Sequence, residues 1–372
     1  MIAGLKSLGI EINQIQSSDP SVPDLLIKPG QMFGPAGIDV GNAGTVMRFL
    51  PPVSAFAKGL INFDGDPRSH ERPVGPVIKA MEDLGILVNH NNQYRLPITI
   101  NASGKVLGGK VEIDATNSSQ FVSALMLIGA RCENGLEIIN IATTTPSLPH
   151  IDMTINCLAD YGIKVESGEG SWKISQQEFK GIEKTIEPDL SNAAPFLAAA
   201  IITNGIITIR HWPKNTSQAG DKLREIFSQM GAEIELTDSG LTVTGTGKIK
   251  GIEIDLHEVG ELTPSIAALA SLASTPSHLK NIGHLRLHET DRLSALATEI
   301  NALGGEVIEE KDNLIINPKP LRSGIFHTYD DHRMATAGAM LGLTIKDIQV
   351  ENIETTKKTL PDFVGLWQSI LN

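Results

Sequence analysis

Four arginines stand beside small polar residues in a way that suits anion chemistry. Arg48 follows Asn42-Ala43-Gly44-Thr45, and Arg68 lies in Gly65-Asp66-Pro67-Arg68-Ser69-His70-Glu71-Arg72-Pro73. Arg292 closes His288-Glu289-Thr290-Asp291-Arg292, and Arg333 follows Asp331-His332. A guanidinium is planar, always charged, and pairs its N–H groups with two oxygens of a carboxylate or phosphate. The neighbouring residue types start helices, and a helix N-terminus adds unpaired N–H groups and a positive dipole end. Ser118-Ser119-Gln120 precedes an apolar run in the same way. Several such ends aimed at one place would bind small polyanions even in an acidic protein. Glu289 and Arg292 are three apart at a helix start and share one face. Other chemistries find little support. His284, His288, His327 and His332 do not form the zinc-protease motif His-Glu-x-x-His, and no Walker loop or Gly-x-Gly-x-x-Gly follows a strand. Cys132 follows Arg131 but lies at the end of an apolar run and reads as buried filler.

The elements that must carry these residues form a repeat. A helix-like run, a Gly and an alternating strand recur at Leu8-Gly9-Ile10, Leu84-Gly85-Ile86, Tyr161-Gly162-Ile163, Met230-Gly231-Ala232 and Leu303-Gly304-Gly305, spaced 69 to 77 residues apart. Each Gly fits the left-handed residue past a helix end. Polar turns at Ser167–Gly170, Asp238–Gly240 and Lys311–Asn313 then predict hairpins. Each unit opens with a short strand ending near an acid (Asp39, Asp114, Asp189, Glu258, Asp331), then small polar residues expected as N-caps, then an apolar helix. Runs such as Phe121–Ala130 and Ile266–Ala273 are apolar all round and are expected to be buried. One unit therefore reads strand–helix–strand–helix–hairpin. Gly9 has no opening helix ahead of it and the last unit has no closing hairpin, so about 40–60 residues of a complete fold are expected to be missing.

The chain has 372 residues, a prior for two domains of three units, with the break expected near Glu183–Pro188: lobes 1–187 and 188–372. Hydrophobic residues are 41% and charged residues 20%, as in a globular protein. No apolar run approaches the ~18 residues of a membrane span. Met1-Ile-Ala-Gly-Leu-Lys reads as an amphipathic helix rather than a leader. Two cysteines, Cys132 and Cys157, fit a reducing cytoplasm, and a net charge of −12 excludes a global nucleic-acid-binding surface.

These residues resemble a known family, the 5-enolpyruvylshikimate-3-phosphate (EPSP) synthases. The match runs in order through Asn42-Ala43-Gly44-Thr45-Val46-Met47-Arg48, Gly65-Asp66-Pro67-Arg68 with Glu71-Arg72-Pro73, and Ser118-Ser119-Gln120-Phe121. It continues through Glu289-Thr290-Asp291-Arg292, Asp331-His332-Arg333-Met334 and Lys357-Lys358-Thr359-Leu360-Pro361. The resemblance implies an α/β fold of two inside-out domains built from βαβαββ units, the first incomplete here, closing over a cleft. It implies transfer of the enolpyruvyl group of phosphoenolpyruvate to the 5-hydroxyl of shikimate 3-phosphate, with release of phosphate and no metal or cofactor. Gly44, Arg68, Gln120, Arg292, Arg333 and Lys358 match the family's phosphoenolpyruvate contacts. Thr45, Ser118, Ser119, Ser147 and His288 match positions around shikimate 3-phosphate. Glu289 matches the acid that protonates the methylene carbon, and Glu261 the base for the 5-hydroxyl. The resemblance also leads us to expect a cytoplasmic monomer serving aromatic amino acid synthesis, with no nucleic-acid or membrane partner.

The chain departs from the family pattern in four places. Glu261 stands for the usual Asp, His288 for a common Lys and His284 for a common Asn. The expectation at His288 is a contact that weakens above about pH 7. The family's N-terminal Lys-Ser-x-x-Asn/His-Arg segment is absent, so an impaired enzyme or a ligand-binding form is the alternative expectation. Two other readings are the sister transferase acting on UDP-N-acetylglucosamine, whose mobile-loop Cys has no counterpart in Pro67–Asn117, and a generic α/β repeat protein.

Overall fold

The computed structural model describes residues 1–17 and 23–371. Its sheets repeat one pattern. In the first full version Ala36–Asp39 runs parallel to Lys58–Asp64, which pairs antiparallel with Ile98–Ser103, and Leu87–Asn89 closes the far edge. The same order recurs in Gly109–Ile113, Leu136–Asn140, Ser171–Ile174 and Glu166–Gly168. It recurs again in Glu253–Asp255, Ser277–Lys280, Leu314–Asn317 and Glu306–Glu309. Ile206–Arg210, Gly240–Thr244 and Glu233–Thr237 form three strands of it. Glu11–Ile15 with Asp24–Lys28 is its antiparallel hairpin, and Gly324–Phe326 with Ile348–Val350 its parallel opening pair.

The glycine between helix and hairpin is left-handed in all five repeats, with φ of +92° at Gly9, +79° at Gly85, +78° at Gly162, +104° at Gly231 and +95° at Gly304. No side chain is strained there, and the chain reverses into the sheet. The acids that end the opening strands have a different local role from the one expected. Asp39 accepts from Gly41 N (2.8 Å), Asp114 from Thr116 N (2.9 Å), Asp189 from Asn192 N (2.9 Å) and Asp255 from His257 N (2.8 Å). The bonds of Asp39, Asp114 and Asp255 reach two residues on and are Asx turns, that of Asp189 reaches three residues on, and all four bend the chain before the helix begins. Among the opening helices only Asp331 is a side-chain N-cap, accepting from Arg333 N. The helices at Gly44, Gln120, Ala194 and Thr263 start without one, so the expectation of polar N-caps fails there.

These opening helices are apolar because they form the interior. Gly44–Ser54 packs on Gln120–Gly129, and Ala194–Thr203, Thr263–Ser271 and His332–Leu341 pack on one another. Strands such as Ala36–Asp39 and Ile98–Ser103 alternate between buried and exposed residues. One sheet face therefore covers the helices while the other meets solvent, the inside-out arrangement. Each unit has its own apolar core.

The chain divides into two compact units: Met1–Thr145 with His150–Ile182, and Pro146–Pro149 with everything from Glu183 on. The change of unit comes at 182/183, where the stretch Glu183–Pro188 begins. The Pro146–Pro149 segment packs with the second unit, where Ser147 N donates to His257 O (3.3 Å). Among the described residues no helix is long and apolar enough to cross a membrane.

Candidate active site

In the first unit the starts of two inner helices meet around arginines. Arg48, on the helix Gly44–Ser54, is buried. Its Nη1 donates to Gln120 Oε1 (2.9 Å) and Ser118 Oγ (3.4 Å), and its Nε to Pro73 O (3.2 Å). Its guanidinium carbon lies 5.2 Å from the Phe121 ring centroid, a cation–π contact. Ser118 Oγ also accepts from Gln120 N (3.2 Å). The buried Arg72 donates to both oxygens of Asn42. Gly44 lets this packing occur, since a Cβ there would lie 2.9 Å from Arg72 Nη2 and 3.4 Å from Gln120 Oε1. Ser119 is buried, Thr45 is exposed, and Arg68 sits in the turn Pro67–His70 with Glu71 as its ion-pair partner.

The second unit holds a denser network. Arg292 is 2% exposed, and the start of its helix aims it at Asp331: Nε donates to Oδ2 (2.8 Å) and Nη2 to Oδ1 (3.1 Å). Arg292 Nη2 also donates to Glu289 Oε2 (3.0 Å), and Lys358 Nζ to Glu289 Oε1 (3.0 Å). Burial alone would lower the Arg292 pKa, yet the Asp331 and Glu289 carboxylates hold it above its ordinary value. For Asp331, burial opposes ionisation and the Arg292 guanidinium wins, keeping that carboxyl below the usual range. Arg333 Nη1 donates to Ser191 O (3.3 Å), and Ser191 Oγ donates to Glu261 Oε1 (3.3 Å). Burial, reinforced by Arg292, pushes the Arg333 pKa down.

Two histidines here are held neutral. Burial first, and His257 next, push the pKa of His284 down to about 4. Burial takes that of His332 down to about 3. His288 Nδ1 lies 3.3 Å from Arg292 Nη1. A guanidinium only donates, so the His288 nitrogen is the acceptor in that contact.

The structure thus joins Gly44, Ser118 and Gln120 through Arg48 and Arg72. It also joins Glu289, His288, Arg292 and Lys358 in one network, and Arg333 to Glu261 through Ser191. The sequence singles out Arg48 for anion chemistry, but Arg72 only as a motif member and Asp331 only as the acid that ends an opening strand. The signal for Asp331 was an acid immediately before a helix whose next residues are His and Arg. Among the described residues no group of three His, Cys, Asp or Glu could hold a metal ion. Cys132 is buried, its thiol pushed up to about 11 by burial.

Comparison with known proteins agrees with this geometry. The chain matches the family described as EPSP synthase (3-phosphoshikimate 1-carboxyvinyltransferase) over residues 1–367. A 3-phosphoshikimate 1-carboxyvinyltransferase of Kocuria rhizophila is 47% identical over 377 residues, which take in 100% of this chain and 85% of that protein. Two structures of EPSP synthase from Acinetobacter baumannii superpose with TM-scores of 0.77 and 0.75 at 20% and 19% identity. Each covers 99% of this chain and 86% of the other, and at that identity they speak for the fold. The sister transferase and the generic repeat protein are set aside by these matches, and the chain belongs to the EPSP synthase family.

Proposed function

We propose that the chain transfers the enolpyruvyl group of phosphoenolpyruvate to the 5-hydroxyl of shikimate 3-phosphate, with the residues above in the following roles. Gly44, Arg68, Gln120, Arg292, Arg333 and Lys358 take the phosphate and carboxylate of phosphoenolpyruvate. Thr45, Ser118, Ser119, Ser147 and His288 take shikimate 3-phosphate. Glu261 accepts the 5-hydroxyl proton as the oxygen attacks C2, and Glu289 delivers a proton to the methylene carbon. Loss of a proton from the resulting methyl group, with departure of phosphate, restores the double bond. Fixed cations and helix N–H groups suit this chemistry because both substrates are anions and charge moves onto the leaving phosphate.

The observation that carries the reading is Glu289 held between Arg292 and Lys358, 3.0 Å from each. It sets a carboxyl between the two cations assigned to phosphoenolpyruvate, so a proton it takes up would be held beside the group it is to protonate. Steady-state kinetics of Glu289→Gln test it. We expect kcat to fall by about 10²- to 10⁴-fold with the KM for phosphoenolpyruvate changed only a few-fold. An unchanged kcat overturns the assignment. A monomer in a reducing cytoplasm is our finer reading; the two free cysteines agree with the reducing compartment.

A further inference from the structure

Arg292, Arg333 and Lys358 stand on three different elements: the starts of the helices Arg292–Ala302 and His332–Leu341, and the end of the 3-10 segment Ile353–Lys358. One short loop, His327 to Asp331, is bonded to all three. The helix Arg292–Ala302 grips it twice. Arg292 holds Asp331, and two turns further on the buried Glu299 (2% exposed) reaches the other end of the loop. Glu299 Oε2 accepts from His327 N (2.9 Å) and lies 3.1 Å from His327 Nδ1, while Oε1 accepts from the Tyr329 hydroxyl (2.6 Å). From the opposite side Asn352 Nδ2 donates to Asp330 Oδ1 (2.6 Å) and Thr355 Oγ1 to Asp330 O (2.8 Å). The segment that ends in Lys358 therefore hangs from the same loop. At the loop's end Asp331 Oδ1 accepts from Arg333 N (2.8 Å).

The backbone of this loop is unusual. Tyr329 and Asp330 both have φ of +54°, the left-handed region, which side-chain-bearing residues adopt in succession only where surrounding contacts over-determine it. The contacts that do so are those of Glu299, Asn352 and Thr355. Burial, followed by Glu299, pushes the Tyr329 hydroxyl up to about 12, so it remains a donor at working pH.

We propose that Glu299 and Tyr329 are positioning residues for substrate binding: the bond from the exposed Tyr329 to the buried Glu299 fixes the His327–Asp331 loop, and through it the relative placement of Arg292, Arg333 and Lys358. The inference rests on the reading of those three cations as the phosphoenolpyruvate contacts. Neither Glu299 nor Tyr329 needs to touch substrate. A displacement of these cations by a fraction of an ångström would weaken a multidentate grip on a small anion while leaving the core packing intact.

Kinetics and thermal unfolding of Tyr329→Phe, Glu299→Ala, Glu299→Gln and Arg333→Ala test it on the full chain. Tyr329→Phe and Glu299→Ala should raise the KM for phosphoenolpyruvate between about 5- and 100-fold, with the KM for shikimate 3-phosphate and the melting temperature near wild type. Glu299→Gln, whose carbonyl can still accept from His327 N and whose amide can donate to the Tyr329 oxygen, should recover most of the loss. Should Glu299→Ala fail to fold, Tyr329→Phe still decides. A folded Tyr329→Phe enzyme with wild-type KM for phosphoenolpyruvate overturns the proposal. So does a variant in which both KM values, kcat and melting temperature fall away together, because that marks a purely structural staple. Arg333→Ala separates the two layers. If it too leaves that KM unchanged, the binding assignment itself has failed; if it raises the KM while Tyr329→Phe does not, only the positioning role has.

Discussion

Acid should weaken the second unit in a window set by two buried histidines. His284 and His332 are held neutral in the folded chain, with pKa values pushed by burial to about 4 and about 3. In the unfolded chain each titrates near its ordinary ~6.5. Between those limits the unfolded chain binds protons that the folded chain refuses, so stability rises with pH and is lost as pH falls below about 6.5. Each histidine contributes about 1.4 kcal/mol per pH unit across the window, so the pair removes roughly 4 kcal/mol by pH 5. That is a large share of the ~5–15 kcal/mol that holds a typical domain together. The folded pKa of Asp331 lies below its ordinary value, so its contribution is present above ~3.9 and lost only under more acidic conditions, outside this window. Urea unfolding at pH 7.5 and pH 5, followed by fluorescence, measures the effect, since Trp212 and Trp367 lie in the second unit. His284→Gln or His332→Gln should each halve the pH-dependent loss, by about 2 kcal/mol. A wild-type pH slope retained in both variants would refute the reasoning.

Two substitutions probe the arginine networks. In Gly44→Ala the new Cβ would sit 2.9 Å from Arg72 Nη2, the far end of a flexible side chain, and 3.4 Å from Gln120 Oε1. The fold should survive while the KM for phosphoenolpyruvate rises roughly tenfold, and steady-state kinetics showing no change would contradict the placement of Gly44. Asp331→Ala strips the buried Arg292 of its two-bond partner and the helix His332–Leu341 of its cap. It should cost ~3–5 kcal/mol in denaturant unfolding, and a loss under 1 kcal/mol would show that the pair is not the buried anchor described.

What could be read from the sequence was the local part of the fold. Gly9, Gly85, Gly162, Gly231 and Gly304 mark helix ends because a left-handed backbone is a local demand, and the hairpins follow from alternation and polar turns. The acids at strand ends are visible too, but not the turns they make. A carboxylate that reaches the N–H two residues on makes a turn, and only Asp331 sits one step before its helix and so caps it. The pairings that build the site join elements distant in sequence. Arg292 and Asp331 are 39 residues apart, and Glu299 and Tyr329 are 30 apart. No periodicity reports such partners, because they depend on which helix start faces which loop. The same limit applies to Ser147, whose segment packs with the second unit although it lies inside the first in sequence.

Arg333 offers the most direct test of the account. It combines a helix start, a half-buried position and a link through Ser191 to Glu261. Phosphate release from phosphoenolpyruvate, measured with saturating shikimate 3-phosphate, compares wild type with Arg333→Lys and Arg333→Ala. The account predicts turnover only when both substrates are present, kcat/KM for phosphoenolpyruvate reduced by about 100-fold or more in Arg333→Ala, and an intermediate value in Arg333→Lys, which keeps the charge but not the fork. Phosphate release that ignores shikimate 3-phosphate, or that proceeds at the wild-type rate without Arg333, would contradict it.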